Sequence, residues 1–366
     1  MKLIVQPEDG VKPLVDGIGS ARKSVEIVIF RFDRKEVEHA LENAVKRGAF
    51  VHTLIADTNR SGEKNLRKLE MRLLTKGVTV ARTSDDLVRY HGKMMIVDRK
   101  ELYVLAFNFT HLDIDRSRSF GIVTRNRQLV QEAVRLFESD TKRQPYTSRC
   151  KKFLVSPVNA REELSAFLKG AKHELLIYDS KISDRAMIRV LEGRASAGVD
   201  IRIVGWMAGR KSRLDVRKLP STRLHTRTII RDRHQVFLGS QSLRELELDA
   251  RREIGVIIRD SKVVNSMVRI FEEDWGSTQV LKAESKKPSE KQEAGVPVTK
   301  AASKTAELVA KDLPRVAPVV EQALQQIVGS EANVELDHKE VEATVKDAVK
   351  KAVKGLVREA VEEAVE

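Results

Sequence analysis

Apolar positions along residues 1–282 fall into two alternating patterns. The segments ARKSVEIVIFRFD (21–33) and AKHELLIYDSKIS (171–183) each place basic residues ahead of an apolar run that ends in Asp33 or beside Asp179. Runs of this length, rich in Val and Ile and bounded by turn formers, predict buried strands. LENAVKRGAFVHTLIA (41–56) and LEGRASAGVDIRIVGW (191–206) each predict a helix ending at Gly, followed by a Val/Ile-rich strand. Apolar residues at helical spacing predict helices near 35–48 and 126–139, and MKLIVQ at the start predicts a first strand.

These segments recur. A spacing of 150 relates the first two pairs, and a spacing of 134 relates RSFGIVTRNRQLVQEAVRLFESD (118–140) to REIGVIIRDSKVVNSMVRIFEED (252–274). The second copy is therefore shorter in one connection, by the difference between the two spacings. Each copy reads strand, helix, strand, connection, strand, strand, strand, helix. The prediction is an α/β chain of two homologous halves, 1–145 and 150–282, each a mixed sheet flanked by helices. After Trp275 the pattern stops. Residues 283–305, rich in Lys, Glu, Ser and Pro, predict a flexible linker. Residues 306–366 predict a helical tail, with Val at 341, 345, 349, 353, 357, 361 and 365. A four-residue step winds around a helix, so this stripe predicts self-association, a partner helix, a membrane surface or a solvated helix.

Charge sharpens the picture. Residues 1–282 hold 54 Lys and Arg against 37 Asp and Glu, about +17, whereas the tail holds 13 against 16. That imbalance points the folded part toward an anionic partner, a nucleic acid or an acidic membrane surface. The segments 59–77 and 206–224 concentrate cations ahead of the motifs described next, and Trp206 reads as the end of an apolar strand and hence as core. With Cys150 as the one cysteine there is no internal disulfide, which predicts a reducing compartment. Neither a signal-peptide pattern nor an apolar run of about 20 residues occurs in the sequence. The expectation is a cytoplasmic protein that at most lies against a membrane.

The chemistry is carried by RYHGKMMIVDRK (89–100) and LHTRTIIRDRHQ (224–235). His91 and His225 occupy equivalent positions, each with a cation two residues on, Lys93 or Arg227, and an Asp seven on, Asp98 or Asp232. The other histidines, 39, 52, 111, 173, 234 and 338, have no such partner and read as structural. If the halves pack about a pseudo-twofold axis, the two motif histidines meet, one able to attack while the other delivers a proton. On a strand, His91 and Lys93 share a face, as do His225 and Arg227. Asn108 lies fifteen residues after Lys93, beyond a hairpin, and Ser242 holds the matching place. Together these groups form a pocket for a phosphate. Asp98 and Asp232 are expected to hold hairpin turns.

The doubled H-x-K/R-x-x-x-x-D pattern, with remnants of a following G-S-x-N, resembles the phospholipase D superfamily over residues 1–280. The resemblance implies a metal-independent phosphodiesterase without a cofactor, acting through a phosphohistidine and releasing product to water or to a second alcohol. It assigns His91 as nucleophile and His225 as general acid and then base. Half one has Leu105 and Ala106 in place of G-S but keeps Asn108. Half two keeps Gly239 and Ser240 but has Ser242 and Arg227. The family places an acid at a set distance after each His; Glu253 holds that place after His225, and Ser119 after His91, leaving Asp113 or Asp115 to substitute. Three readings stay open: an enzyme acting on a phospholipid phosphodiester, to which the doubled motif tips the balance; a nuclease or nucleic-acid end-processing enzyme; and a basic module that binds phosphate without turnover.

Overall fold

The computed structural model describes residues 1–56, 63–209, 214–220 and 222–280. The linker and tail expected over 283–366 lie outside the described residues, as does part of the basic segment 206–224.

Half one starts with β1 (Lys2–Gln6) and α1 (Lys12–Ser20). It continues through β2 (Ser24–Ile29), α2 (Lys35–Lys46), β3 (Phe50–Ile55), α3 (Glu63–Thr75) and β4 (Thr79–Arg82). A two-residue β5 (Arg89–Tyr90) precedes the hairpin of β6 (Met94–Val97) and β7 (Glu101–Leu105), then α4 (His111–Asp115), β8 (Ser117–Thr124) and α5 (Arg127–Thr141). Half two repeats this as β9 (Phe153–Val155), α6 (Ala160–Lys169), β10 (Glu174–Ile182), α7 (Arg185–Ser196), β11 (Asp200–Met207) and β12 (Asp215–Lys218). There follow β13 (Arg223–Leu224), β14 (Arg227–Arg231), β15 (Gln235–Gly239), α8 (Glu245–Asp249), β16 (Arg251–Arg252), β17 (Ile254–Ile258), α9 (Ser261–Ser277) and β18 (Gln279–Val280). The shorter connection of half two is explained by α3, a helix that has no counterpart between β11 and β12 among the described residues.

The sheets share one strand order, β1-β8-β7-β6-β2-β3-β4 and β9-β17-β15-β14-β10-β11-β12, with β18 added at the second edge. In each, the central strand pairs parallel with the next one in sequence and antiparallel with the hairpin. Alternation along the strands builds three cores. Ile27 and Ile29 face outward into a core shared with α1 and α2, and Leu175 and Ile177 do the same with α6 and α7. Val28, Leu176 and Tyr178 face inward, where both sheets join α5 and α9 in one core spanning the halves. Helix caps are local: Asn126 accepts from Leu129 N at 3.1 Å and Asp260 from Val263 N at 3.1 Å.

Asp98 and Asp232 do sit in the hairpin turns, at φ 53° and 51°, but their carboxylates do not brace those turns from within. Asp98 accepts the backbone N–H groups of Arg22, Lys23 and Ser24, and Asp232 those of Lys172, His173 and Glu174. Each ties its hairpin to the chain entering the central strand. That separates both aspartates from the chemistry.

Candidate active site

The halves exchange backbone where the two motifs lie. β5 of half one pairs parallel with β16 of half two, Arg89 opposite Arg251; β13 of half two pairs parallel with β8 of half one, Arg223 opposite Ser117. These two pairings are equivalents under the repeat that relates the motifs, so the exchange is a pseudo-twofold one. Its end fixes both histidines: His91 N and Gly92 N donate to Arg252 O at 2.8 Å, and His225 N donates to Arg118 O at 3.1 Å. Beneath each carbonyl lies an ion pair, a buried one of Arg252 with Asp140 at 3.1 Å and a partly buried one of Arg118 with Asp274 at 2.9 Å. Gly92 is required by the close packing, since a Cβ there would lie 2.6 Å from Ile254.

His91, Gly92 and Lys93 fall between β5 and β6 rather than on a regular strand, contrary to the alternation expected of them. The cross-half bonds to Arg252 O take up the N–H groups that a ladder would use. Lys93 nonetheless turns back under the ring: its Nζ donates to His91 O at 2.7 Å and lies 3.0 Å from His91 Nε2. Lys93 is fully buried, and burial lowers its pKa to about 7.

The acid that serves His91 comes from the other half. Glu253, fully buried, places Oε1 and Oε2 at 3.1 and 3.0 Å from His91 Nδ1. The expectation that Glu253 serves His225, the histidine of its own half, is therefore corrected. The β5–β16 pairing carries residues 251–253 past His91, so the acid that follows one His along the chain meets the other. With Nδ1–H donating to Glu253, Nε2 keeps its lone pair. Burial and the charges of Lys93, Arg251 and Arg227 hold His91 well below the ordinary histidine pKa, which favours the neutral ring. Burial raises the Glu253 carboxyl, against the charges of Lys93 and Arg251 and a hydrogen bond from Ser240, which also exchanges bonds with Ile254 N and O.

The same crossing decides the partner of His225. Ser119 follows Arg118, which holds His225 N, and its buried hydroxyl has no hydrogen-bond partner among the described residues. Nδ1 of His225 also lacks one among them, and Asp113 Oδ2 stands 3.6 Å away. Asp113 thus stands beside His225 and not beside His91, while Asp115 pairs with Arg34 at 2.6 Å and His111 at 3.1 Å. Burial opposes ionisation of Asp113, but His225, Arg223 at 2.9 Å and two bonds from Asn108 outweigh it and hold the carboxyl below its usual range. Burial lowers the pKa of His225 well below the ordinary value, against the charge of Asp113. Both histidines are 8 % exposed.

Asn108 accepts from Arg31 N at 3.2 Å and donates to Asp113 at 2.7 Å, so its amide is fixed beside the acid of His225. Arg227 donates from Nε to Ser242 Oγ at 3.1 Å and from Nη1 to His225 O at 2.9 Å. The charge of Arg227 reaches His91 and that of Lys93 reaches His225, which places both motifs in one electrostatic site. Trp206, expected in the core, is 46 % exposed at the end of β11. Sequence reasoning missed Phe30, whose ring meets His91 edge-on at 5.0 Å, and Asp179, paired in register with Arg227.

Such a site can hold a tetrahedral anion between two cations, attack it with one imidazole and exchange a proton through the other. The family model described as cardiolipin synthase, PLD-like domain, matches residues 14–141 and 164–275, one segment in each half. Among curated proteins, a polyphosphate kinase of Prosthecochloris aestuarii is 23% identical over 296 residues, covering 72% of this chain and 41% of that protein. The chain thus spans about two fifths of that relative. A mitochondrial cardiolipin hydrolase of Danio rerio is 28% identical over 130 residues, covering 34% of this chain and 56% of that protein. Among solved structures, polyphosphate kinase from Porphyromonas gingivalis has the same fold at TM-score 0.63 and 19% identity, covering 75% of this chain and 50% of that one. Phosphatidylserine synthase from Haemophilus influenzae matches at TM-score 0.61 and 11% identity, covering 76% and 87%.

Proposed function

The chain belongs to the phospholipase D superfamily, and on that premise we propose that it is a phosphodiesterase that passes a phosphatidyl or similar group through a covalent bond to His91. The observation that carries this reading is the Glu253 carboxylate on His91 Nδ1, which holds the ring proton there and leaves the lone pair on Nε2, 3.0 Å from Lys93 Nζ. In the first step Nε2 attacks phosphorus, the P–O bond to the leaving alcohol breaks, and His225 gives that alcohol its proton. In the second, His225 takes a proton from water or another alcohol, whose oxygen displaces His91. Lys93 and Arg227 face the charge that builds up on the phosphoryl oxygens. The entering phosphodiester is itself an anion, which draws a proton onto the otherwise neutral His225.

A phospholipid as substrate is supported by the family model, described as cardiolipin synthase, and by the shared fold with a phosphatidylserine synthase. Scarcity of exposed aromatic residues among the described residues argues against base stacking on single strands. A second reading, transfer of a phosphoryl group from a phosphoanhydride chain, is supported by the resemblance to polyphosphate kinases.

The test is turnover of bis(p-nitrophenyl) phosphate in excess chelator by wild type, His91→Ala and His225→Ala, with protein denatured at alkaline pH and assayed for the phosphohistidine adduct. Both variants are expected to lose turnover, and only those retaining His91 to hold phosphate. Wild-type turnover by His91→Ala excludes the mechanism. Cardiolipin vesicles, single-stranded DNA and polyphosphate, offered in turn, separate the substrate classes, with lipid expected to be consumed.

A further inference from the structure

The two halves of the site differ at three positions that the fold places together. In half one Ile29 pairs with Ile55 and lies one rung beyond Val28 opposite Met94, hence beside Lys93. At the equivalent rung of half two, Asp179 of β10 pairs with Gly205 on one side and with Arg227 on the other. An aliphatic pair beside a lysine has become a carboxylate and a glycine beside an arginine. Gly205 is required by the backbone: at φ 145°, a Cβ there would fall 1.8 Å from the main-chain carbonyl oxygen of Asp179.

Asp179 is fully enclosed, and a carboxylate so placed needs partners. It accepts Lys181 N at 2.9 Å and Leu243 N at 2.8 Å. Leu243 follows Ser242, whose hydroxyl takes the Arg227 Nε proton. Burial still raises the Asp179 pKa to about 6, and the charge of Arg227 works against that rise. The carboxylate thus fixes the loop that fixes the guanidinium, and its charge lies on the strand next to it.

We infer that Asp179 is a positioning residue that holds Arg227 as a rigid fork for two oxygens of a phosphate, so that half two grips the substrate phosphate while half one supplies the nucleophile. The role in turnover rests on the reaction proposed above; the grip on phosphate does not. The lysine in that place presents a compact point charge, already held at His91 O, whereas a planar fork gains from having its orientation fixed. The arginine of the second motif and the aspartate in the neighbouring strand are one substitution in two places.

The experiment is a double-variant cycle on the full chain, with inorganic phosphate binding read by calorimetry and KM and kcat read on bis(p-nitrophenyl) phosphate. Arg227→Lys is expected to weaken phosphate binding about tenfold, Asp179→Asn by a similar factor, and the pair by little more than either. The losses should fall on KM more than on kcat. Independent losses that multiply to about a hundredfold, or unchanged binding in Asp179→Asn, overturn the inference. Since Asp179→Asn sets an amide NH2 against one of the two backbone donors, Lys181 N or Leu243 N, a folding arm runs beside it. Asp179→Ile with Arg227→Lys recreates the Ile29 and Lys93 pairing and should melt higher than Asp179→Ile alone. A double variant that melts lower by the sum of both singles overturns the coupling. Intact coupling in a protein without turnover leaves this inference standing and removes the proposed reaction.

Discussion

Glu253→Gln tests the crossed pairing most directly. In the wild type both carboxylate oxygens lie within 3.1 Å of His91 Nδ1 at a fully buried position, so the bond is charge-assisted and unscreened by water. A hydrogen bond to a charged group contributes about 1.5–3 kcal/mol and a neutral one about 1 kcal/mol. Glutamine keeps one acceptor and the shape of the side chain, so the loss is about 1–2 kcal/mol. Because the imidazole becomes cationic as Nε2 bonds to phosphorus, the loss falls on the first step, which should slow by about 5- to 30-fold. Rapid-quench formation of phosphohistidine measures that rate. Long-range proton–nitrogen NMR on histidine-labelled protein reads the pairing without turnover, because the nitrogen shifts of His91 must move while those of His225 stay. A variant in which His225 moves and His91 does not would show that Glu253 serves its own half, and the crossed site would be wrong.

Three other outcomes are expected. Lys93, with its pKa lowered to about 7 by burial, carries charge below that pH and loses it above; inorganic phosphate binding should weaken from pH 6 to pH 8 in wild type and persist in Lys93→Arg. The same shift makes the unfolded chain bind more protons than the folded one between about pH 7 and the ordinary lysine value, so stability gains from this group as pH rises through that window. Asp113→Asn removes the nearby charge that raises the His225 pKa, and Ser119→Asp supplies an acid at the family position; histidine NMR titrations should show the value falling in the first and rising in the second. Tyr178 donates to Asp274 at 2.6 Å in the shared core, beside the Arg118 pair that anchors His225. Tyr178→Phe should reduce stability by about 1.5–3 kcal/mol in urea unfolding, and no change would mean that Arg118 alone satisfies the carboxylate.

Local patterning was enough for the strands and helices that repeat. Runs such as SVEIVI and ELLIY can only be buried strands, and the helical spacing of 126–139 matches α5 (Arg127–Thr141). The opening helices α1 and α6 lie outside the most similar segments of the repeat, so the comparison of the two copies gave no sign of them. Trp206 departs from its expected place since an apolar strand does not show where its sheet ends. Its neighbours inward, Ile203 and Val204, are fully buried, and the exposed ring lies just past them.

The sequence by itself determined that one chain holds two copies of a phosphate-directed motif, with His91 and Lys93 in one and His225 and Arg227 in the other, because residue identity and spacing are chain properties. Only the tertiary structure decided which acid meets which histidine. Glu253 is far nearer to His225 along the chain than to His91, yet it hydrogen bonds to His91, since the exchange of β5 and β13 between halves carries each motif to its opposite number. The partnership of Asp179 with Arg227 arises in the same way, from an antiparallel pairing between strands that a helix and several strands separate in sequence. Hydrogen bonds and charges act over a few ångströms of space, and distance along the chain does not measure that space until the sheets have formed.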